Sequence, residues 1–180
     1  NYVKGLQQRL AEAIVKERNR HPFASIDDLK RRVPSLSRAD LSALADLGAL
    51  NEIGKAWRHR SDALWQAELA LSPPGHLLDG IPATEQGSPL KAMSPVERLN
   101  ADYRTAGLTI GAHPMRFHRD FLNSLKVSTA LGLKALRHGM FVRVAGAVIC
   151  RQQPGTAKGF VFLSLEDETG IANAIVAPDL

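Results

Sequence analysis

The sequence has a single cysteine, Cys150, so it cannot form an internal disulfide. This composition fits a reducing compartment, and we expect the protein to be cytoplasmic. No stretch approaches the roughly 20 consecutive apolar residues that a membrane span needs, so we expect no membrane association. Residues 1–9 contain neither an initiator methionine nor a signal-peptide pattern. The chain therefore reads like a piece cut from a longer protein.

Patterns of catalytic and metal-binding residues are also absent. The histidines are scattered, and His113 and His118 have no cysteine or third ligand beside them. There is no nucleophile arrangement, no phosphate loop with GK[ST], and no strand-borne carboxylate pair of the polymerase kind. The acidic run at 166–168 leads into the turn DETG, whose chemistry explains Asp167 and Gly170. We predict no catalytic residue, metal or cofactor in this chain.

Basic charge, by contrast, is present in two zones. Residues 1–34 hold eight Lys or Arg against four Asp or Glu, and residues 115–159 hold eight against one. A mildly acidic stretch, residues 61–114, lies between them. Two separated basic zones suit a polyanion that is held at two places. Solvated helix faces are the alternative reading of either zone.

Apolar periodicity and capping residues predict a helical N-terminal domain at residues 1–71. Residues 6–19 carry an apolar stripe, while Ser25 and Ser37 are placed to cap two further short helices. A fourth amphipathic helix is predicted at 57–71. The first part of the chain is therefore four helices, of which the first three have tight connections.

A linker and a helical connector follow this domain. Residues 72–93 are rich in proline and glycine and lack a sustained period, which predicts a linker or a long ordered loop. The connector, residues 94–140, begins with a capping box at Ser94 and has proline at its first helical position. We expect two more helices in the connector, at 115–125 and 128–137.

The apolar period changes to two near residue 141 and predicts β-strands. We expect a curved strand over 141–151 with a bulge at Gly146, then strands at 160–166 and 171–176 around a tight turn. A curved strand, a basic loop and two more strands are the start of an OB-fold β-barrel, which has five strands. The sequence thus predicts an α+β multidomain protein whose last domain, 141–180, is a truncated OB-fold with an open edge.

Near the N-terminus, VKGLQQRL has the form of a helix-hairpin-helix element. A glycine lets the backbone turn tightly, and the exposed N–H groups of the following helix can bind phosphate oxygens. Neighbouring cationic and amide side chains can add charge and hydrogen bonds that are blind to base sequence. The predicted DNA-binding residues of this first hairpin are Lys4, Gly5, Leu6, Gln7 and Arg9.

A second copy of this element is predicted in ALADLGALNEIG, about 43 residues further on, with Arg60 shortly after it. The alternative is that Gly48 only ends a helix as its C-cap glycine. Two such hairpins beside basic residues favour a tandem domain that binds the duplex backbone. The predicted residues of the second hairpin are Leu47, Gly48, Ala49, Lys55 and Arg58.

The predicted strand at 160–166 carries aromatic residues on its second face. Phe160 and Phe162 lie opposite the face of Val161, Leu163 and Leu165 because side chains alternate along a strand. An exposed phenylalanine can stack on unpaired bases; the alternative is that one of the two packs under a loop or helix. The residues predicted to contact single-stranded nucleic acid are Arg143, Arg151, Lys158, Phe160, Phe162, Ser164 and Asn173.

These segments resemble a known family over essentially the whole chain. RVAGAVICRQQPGTAKGFVFLSLEDETGIANAIV is similar to the OB-fold of the C-family bacterial DNA polymerases, the DNA polymerase III alpha-subunit type, and RQQPGTAKG resembles the error-prone branch. KGLQQRLAEAIVKERNRHPFASIDDLKRRV resembles the tandem helix-hairpin-helix region of these polymerases. MSPVERLNADYRTAGLTIGAHPM resembles the connector between the two.

The resemblance implies a non-catalytic, DNA-holding C-terminal portion of an error-prone polymerase. It implies that the hairpins grip duplex DNA and that the OB-fold lies near the single-stranded template. The metal-binding aspartates, together with the Mg²⁺ and deoxynucleotides that the parent polymerase would use, belong to a part of the polymerase that lies upstream. The parent's implied processes are DNA replication, translesion synthesis and DNA repair in the damage-induced SOS response.

The resemblance also implies partners. The stretch TEQGSPLKAM, at the place of a sliding-clamp motif, keeps a glutamine but lacks the aromatic end, so we do not expect direct clamp binding. An accessory Y-family-like mutagenesis protein is the expected link to the clamp. Two alternatives stay open: a protein-interaction module that docks such a partner through the OB-fold, and an RNA-binding module of a tRNA-binding enzyme.

Overall fold

The computed structural model describes residues 3–54, 59–71 and 88–179. The chain divides into two compact units, which we call the N-terminal unit, residues 1–109, and the C-terminal unit, residues 110–180. Within the described ranges, every helix is too short or too polar to cross a membrane. The four segments predicted from composition are finer than this division and stay predictions, and most of the linker lies outside the described residues.

The N-terminal unit is helical, as the sequence predicts. Its helices are α1 (Gln8–Arg20), α2 (Ile26–Arg32), α3 (Arg38–Asp46), α4 (Arg60–Leu71) and α5 (Pro95–Thr105). Ser25 accepts a hydrogen bond from the backbone N–H of Asp28 at the start of α2. Ser37 and Ser94 each form a complete capping box, with Asp40 and Glu97 as the third helical residues. The N-caps of α2, α3 and α5 are therefore those that the sequence predicts.

One hydrophobic core joins the first four helices. Its members are buried leucines, isoleucine, valine, phenylalanine and alanines: Leu6, Leu10, Phe23, Ile26, Leu29, Val33, Leu36, Leu41, Leu44, Ala45, Leu50, Ala63 and Ala67. On α4 the most buried side chains are small, namely Ser61, Ala63 and Ala67. Small residues allow a short distance between helix axes, so α4 packs closely on α2 and α3. The leucines of α4 cover the core edge instead of filling it.

Helix α5 packs onto α3, inside the N-terminal unit. Arg60 at the start of α4 forms an ion pair of 2.6 Å with Asp102 on α5. Arg104 forms a second pair with Asp46 at the end of α3. The first helix of the predicted connector is thus part of the same compact unit as the hairpins.

The C-terminal unit combines short helices with two small sheets. Its elements are a 3-10 helix (Pro114–His118), α6 (Arg119–Ser124), β1 (Val127–Ser128), 3-10 turns at Gly132–Ala135 and Gly155–Ala157, β2 (Arg143–Val144), β3 (Ala147–Gln152), β4 (Val161–Asp167) and β5 (Gly170–Val176). The helix predicted at 115–125 corresponds to the first two elements. The helix predicted at 128–137 is wrong.

The reason for this error lies in where the backbone donors of the segment bond. The N–H of Ala130 donates to the carboxylate of Asp167 over 2.8 Å, and the N–H of Leu131 donates to the hydroxyl of Thr169 over 3.0 Å. These donors are therefore tied to the turn between β4 and β5 instead of to helical carbonyls. A helical pattern of apolar residues in the local sequence cannot show that these N–H groups will bond to a distant turn instead.

Strand pairing follows a meander. β3, β4 and β5 form an antiparallel sheet in that order, while β1 and β2 form a separate parallel pair. The strand predicted at 141–151 is interrupted near Gly146, and the register shift lies between Val148 and Cys150, so the bulge predicted at Gly146 is displaced. No closed barrel forms among the described residues, consistent with the predicted α+β fold and partial OB-like domain.

Candidate nucleic-acid interface

The first hairpin has the geometry that its sequence predicts. Gly5 has φ +82°, a left-handed conformation that glycine adopts without strain, and α1 begins three residues later. Gln7 is the N-cap of α1, but its side chain makes no capping hydrogen bond to the helix. The N-terminal N–H groups of α1 are therefore not covered by a side-chain cap, as an anion site requires.

Four side chains around this turn have defined positions. The Lys4 ammonium donates to the carbonyl of Tyr103 at 3.0 Å, and Arg9 Nε donates to Gln7 Oε1 at 2.7 Å. Lys4, Gln7 and Arg9 are exposed, whereas Leu6 is only 6% exposed and belongs to the core. Leu6 can therefore face a ligand only with its backbone. The phosphate-binding roles of these residues stay predictions.

The second predicted hairpin contains a helix C-cap. Gly48 has φ +77°, its N–H bonds to the carbonyl of Ala45, and the N–H of Ala49 bonds to the carbonyl of Leu44. This pair of bonds is the Schellman motif, which is the alternative that the sequence leaves open. A Cβ on Gly48 would lie 3.0 Å from Arg60 Nε, so glycine is also needed for close packing.

Of the basic residues expected beside this turn, Arg60 lies within the described part of the chain. Arg60 donates to Asp102, and the two side chains are only 13% and 7% exposed. Its guanidinium therefore holds α4 to α5. Lys55 and Arg58 lie outside the described residues. Nucleic-acid binding by the second hairpin stays a prediction.

The sheet of the C-terminal unit has one exposed face with an aromatic residue on it. Directly paired residues of antiparallel strands share a face, so Phe162 lies with Ile175, and Ser164 lies with Asn173. Phe162 is 39% exposed, Ile175 is 64% exposed and Ile171, on the same face, is 54% exposed. The Ser164 hydroxyl donates to Asn173 Oδ1 over 2.9 Å. The result is a mixed surface, with Phe162 and Ile175 at one end, the polar pair at its centre, and Ile171 with its register partner Glu166 at the other end.

We call this surface the β4–β5 face: Phe162, Ser164, Glu166, Ile171, Asn173 and Ile175. Phe162, Ser164 and Asn173 are predicted contacts, whereas Ile171 and Ile175 are not among the residues predicted from the sequence. Alternation within GIANAIV places Ile171, Asn173 and Ile175 on one side and would have revealed them.

The remaining predicted contacts lie around the sheet. Phe160 precedes β4, is as exposed as Phe162, and donates its N–H to the carbonyl of Ala157. Lys158 is exposed and has φ +48°. Arg151 is paired with Leu163 in the register and so lies on the face opposite Phe162. The strand register therefore does not place Arg151 on the face that carries Phe162.

The acidic residues beside β4 have a structural role. Asp167 accepts hydrogen bonds from Ala130, from the N–H and hydroxyl of Thr169, and from Gly170. Arg119 donates to Glu168 through Nε at 2.5 Å and to Asp167 through Nη2 at 3.2 Å. These contacts fasten α6 and the segment at 130 to the β4–β5 turn.

The charges of this cluster are mutually stabilised. Burial alone would raise the pKa of Asp167, but hydrogen bonds from Thr169 and Ala130 and the charge of Arg119 lower it below its ordinary value. The hydrogen bond from Arg119 lowers the pKa of Glu168 and raises that of Arg119 itself. Ionised carboxylates that accept hydrogen bonds in this way are typical of a structural ion-pair network, not of an acid–base pair.

Comparison with known proteins gives both a motif and relatives. Residues 1–61 match the family model described as the helix-hairpin-helix motif. The chain is similar to the error-prone DNA polymerases of Burkholderia pseudomallei, with 44% identity over 99% of the chain, and of Aromatoleum aromaticum and an Anaeromyxobacter species, each with 42% identity over 99%. It spans about one sixth of these relatives, 16%, 16% and 15% of their lengths. The resemblance expected from the sequence is confirmed.

Proposed function

We propose that this chain is a non-catalytic DNA-binding part of an error-prone DNA polymerase. Nearly the whole length of the chain matches a segment of such polymerases. The β4–β5 face binds the single-stranded template, and the first hairpin binds the backbone of the duplex. The observation that carries this proposal is the exposure of Phe162 beside its exposed register partner Ile175, on an ordered sheet. Stacking of an unpaired base on such a residue contributes roughly 1–3 kcal/mol.

The first hairpin supports the duplex half of the proposal. A left-handed glycine leads into the uncapped N-terminus of α1, and the helix-hairpin-helix family model covers this region. Lys4 and Arg9 are exposed on either side of the turn, and each is held in place by an oxygen acceptor. Pre-positioned cations beside helix N–H groups suit phosphate oxygens, which carry no base identity.

The test is fluorescence anisotropy of the chain with labelled single-stranded DNA and blunt duplex DNA across a salt series. We expect Phe162→Ala to weaken single-strand binding, and the double substitution Lys4→Gln with Arg9→Gln to weaken duplex binding. The Lys4→Gln, Arg9→Gln double substitution should also reduce the dependence of log affinity for duplex on log salt, by about 0.9 for each phosphate that the protein no longer neutralises.

The matched control is Phe121→Ala, because Phe121 is an exposed phenylalanine on α6, outside the β4–β5 face. Its loss should leave single-strand affinity unchanged. Equal effects of Phe121→Ala and Phe162→Ala would remove the stacking role. A chain without salt-dependent affinity for either DNA at low salt would refute the proposal, and a preference for RNA over DNA of the same sequence would favour the tRNA-binding alternative.

The wider role is what the resemblance to error-prone polymerases implies. In this proposal the parent polymerase copies damaged DNA in translesion synthesis during the SOS response, in the cytoplasm. Its Mg²⁺ and deoxynucleotides act in a catalytic part that lies upstream. The 180 residues contribute affinity for template and duplex, not chemistry.

One observation favours a second candidate, a docking site for an accessory polymerase-like protein. β5 is an outer strand of the described sheet, has no charged residue, and exposes Ile171 and Ile175. Uncharged outer strands accept a strand from a partner. The discriminating variant is Ile175→Asp. If it loses binding of a partner protein but keeps its affinity for DNA, docking is favoured. If Phe162→Ala loses affinity for DNA, template binding is favoured.

A further inference from the structure

Two residues of the described chain other than glycine have a left-handed backbone, and both are lysines. They are Lys126, with φ +57°, and Lys158, with φ +48°. The residues that visit this region most readily, apart from glycine, are asparagine, aspartate and histidine. A strained backbone conformation at a residue that rarely adopts it suggests that the side chain has a function. Lys158 is already a predicted phosphate contact, whereas Lys126 has no role so far.

The backbone around Lys126 does not need its side chain. Lys126 follows the C-terminus of α6, where its own N–H bonds to the carbonyl of Asn123 over 2.9 Å. The N–H of Leu125 bonds to the carbonyls of Phe121 and Leu122. These helix-end carbonyls are thus satisfied by backbone donors. Glycine would close the same turn without strain, so the ammonium group is what distinguishes lysine here.

A second cation lies beside this lysine. Arg143 on β2 is the register partner of Val127 on β1, the residue after Lys126. Arg143 Nη1 donates to the carbonyl of Leu125 over 3.2 Å, which is the carbonyl of the peptide bond to Lys126. One of the five guanidinium donors is used in this bond. The parallel pair β1–β2 therefore places Arg143 next to the backbone of Lys126.

No carboxylate balances these charges in the part of the chain that the structure describes. Every ion pair there involves other cations. The carboxylate of α6, Asp120, lies in its first turn, at the opposite end from Lys126. Lys126 and Arg143 are both exposed. Two adjacent cations without a counter-charge create a positive potential that attracts an anion.

We propose that Lys126 and Arg143 bind one phosphate group of a nucleic-acid backbone, at a site built on the β1–β2 pair. The inference rests on the proposed function, because the phosphate is that of the single-stranded template. Lys126 supplies a point charge, and Arg143, fixed by Leu125, supplies directed N–H donors. The site adds a backbone contact to the stacking contacts of the β4–β5 face.

The test uses the 180-residue chain with labelled single-stranded DNA in a salt series. Lys126→Gln removes the charge, and Lys126→Gly removes the side chain together with the strain. Each should weaken binding about five-fold at roughly 0.1 M salt and flatten the salt slope by about 0.7, the value for one single-strand phosphate. The control is Lys134→Gln, a change of the same charge at an exposed lysine of the same unit, which should have no effect.

Coupling to Arg143 provides a second readout. If both residues hold the same phosphate, Arg143→Gln should cost much less in the Lys126→Gln background than in the unsubstituted chain. Full additivity of the two losses would overturn a shared site. Wild-type affinity in both Lys126 variants, with Phe162→Ala still weakening binding, would overturn the site and leave the proposed function standing. A chain that shows no salt-dependent binding of single strands would overturn both.

Discussion

At Gly146 the absence of a side chain decides how the sheet is built. A Cβ at this position would lie 2.8 Å from the carbonyl oxygen of Glu166 and 3.0 Å from its amide nitrogen. Both atoms belong to the backbone of β4, which is paired on both sides. The chain can therefore pass from β2 to β3 against β4 only where it has no side chain.

Replacement of this glycine should destabilise the C-terminal unit. We expect Gly146→Ala to lower the free energy of unfolding by roughly 1–3 kcal/mol, because a methyl group forced against backbone atoms must displace them. Urea denaturation followed by circular dichroism measures the change. Gly155→Ala is the control, since a Cβ at Gly155 meets no atom within 4 Å. Equal stability of both variants would contradict the close approach.

The Asp167 cluster predicts a dependence of stability on pH. The pKa values of Asp167 and Glu168 are lowered in the folded protein, so both carboxylates stabilise the fold at pH values above their unfolded pKa, about 4. That contribution is lost as the pH falls below about 4, through the lower folded pKa values. We expect the free energy of unfolding of the C-terminal unit to fall over this range.

The variant Asp167→Asn measures how much of this fall belongs to the cluster. It removes one titrating carboxylate and should flatten the dependence below about pH 4, while lowering stability at about pH 7 by roughly 1–3 kcal/mol because charge-assisted bonds are removed. Asp120→Asn, an exposed aspartate of the same unit, is the control. An unchanged pH profile in Asp167→Asn would contradict the assigned role.

Among the helices, α5 has the role that its sequence least suggests. It reads as part of a connector, yet it supplies Asp102 to Arg60 and two carbonyls to Lys4, with the backbone N–H of Lys4 bonded to Thr105 at 2.8 Å. The C-terminal end of α5 thus fixes the turn of the first hairpin. Gly107 leaves the room for this contact, since a Cβ there would lie 3.2 Å from Lys4 Cε.

Loss of the ion pair that holds α5 should be costly. Asp102→Ala leaves the Arg60 guanidinium, 13% exposed, without its carboxylate, and removal of one partner of a buried pair costs roughly 3–5 kcal/mol. Thermal denaturation measures the loss. The matched control is Glu68→Ala, which breaks the exposed pair with Arg38 and should cost at most about 1 kcal/mol. A similar cost for both substitutions would show that α5 is not held in this way.

For the molecule as a whole, the two basic zones correspond to two different candidate surfaces. The zone at residues 1–34 contains the first hairpin, in the N-terminal unit. The zone at 115–159 contains Lys126, Arg143 and Lys158, in the C-terminal unit. The acidic stretch therefore lies, along the sequence, between the two proposed binding surfaces, and the charge pattern is the one expected for a polyanion that is held at two places.

Two sites on one chain predict a preference for DNA that offers both ligands. We expect a primer–template junction to bind more tightly than blunt duplex or single strand alone, because the second contact becomes intramolecular. Phe162→Ala should lower the affinity for the junction towards that for blunt duplex. Competition among the three DNAs by anisotropy measures this, and a junction that binds no better than the stronger of the other two would contradict it.

Most elements of both units can be predicted from short stretches of sequence. Caps at Ser25, Ser37 and Ser94 satisfy N–H groups within three residues, and the turn between β4 and β5 is closed by Asp167 and Thr169. Interactions of this range depend on neighbouring residue types alone, so a pattern reveals them. Alternation similarly places Phe162 on the second face of β4, as the strand register requires.

The sequence by itself therefore determined the helices of the N-terminal unit, the caps of α2, α3 and α5, the strands of the meander, the turns at Gly5 and Gly48, and the resemblance to error-prone polymerases. Only the tertiary structure decided that Arg60 pairs with Asp102, that residues 130–131 bond to the β4–β5 turn, and that Arg143 bonds to the carbonyl before Lys126. These contacts join residues 42, 37 and, through the carbonyl of Leu125, 18 positions apart. Partners at such separations are selected by packing of whole elements, and no local period encodes that selection.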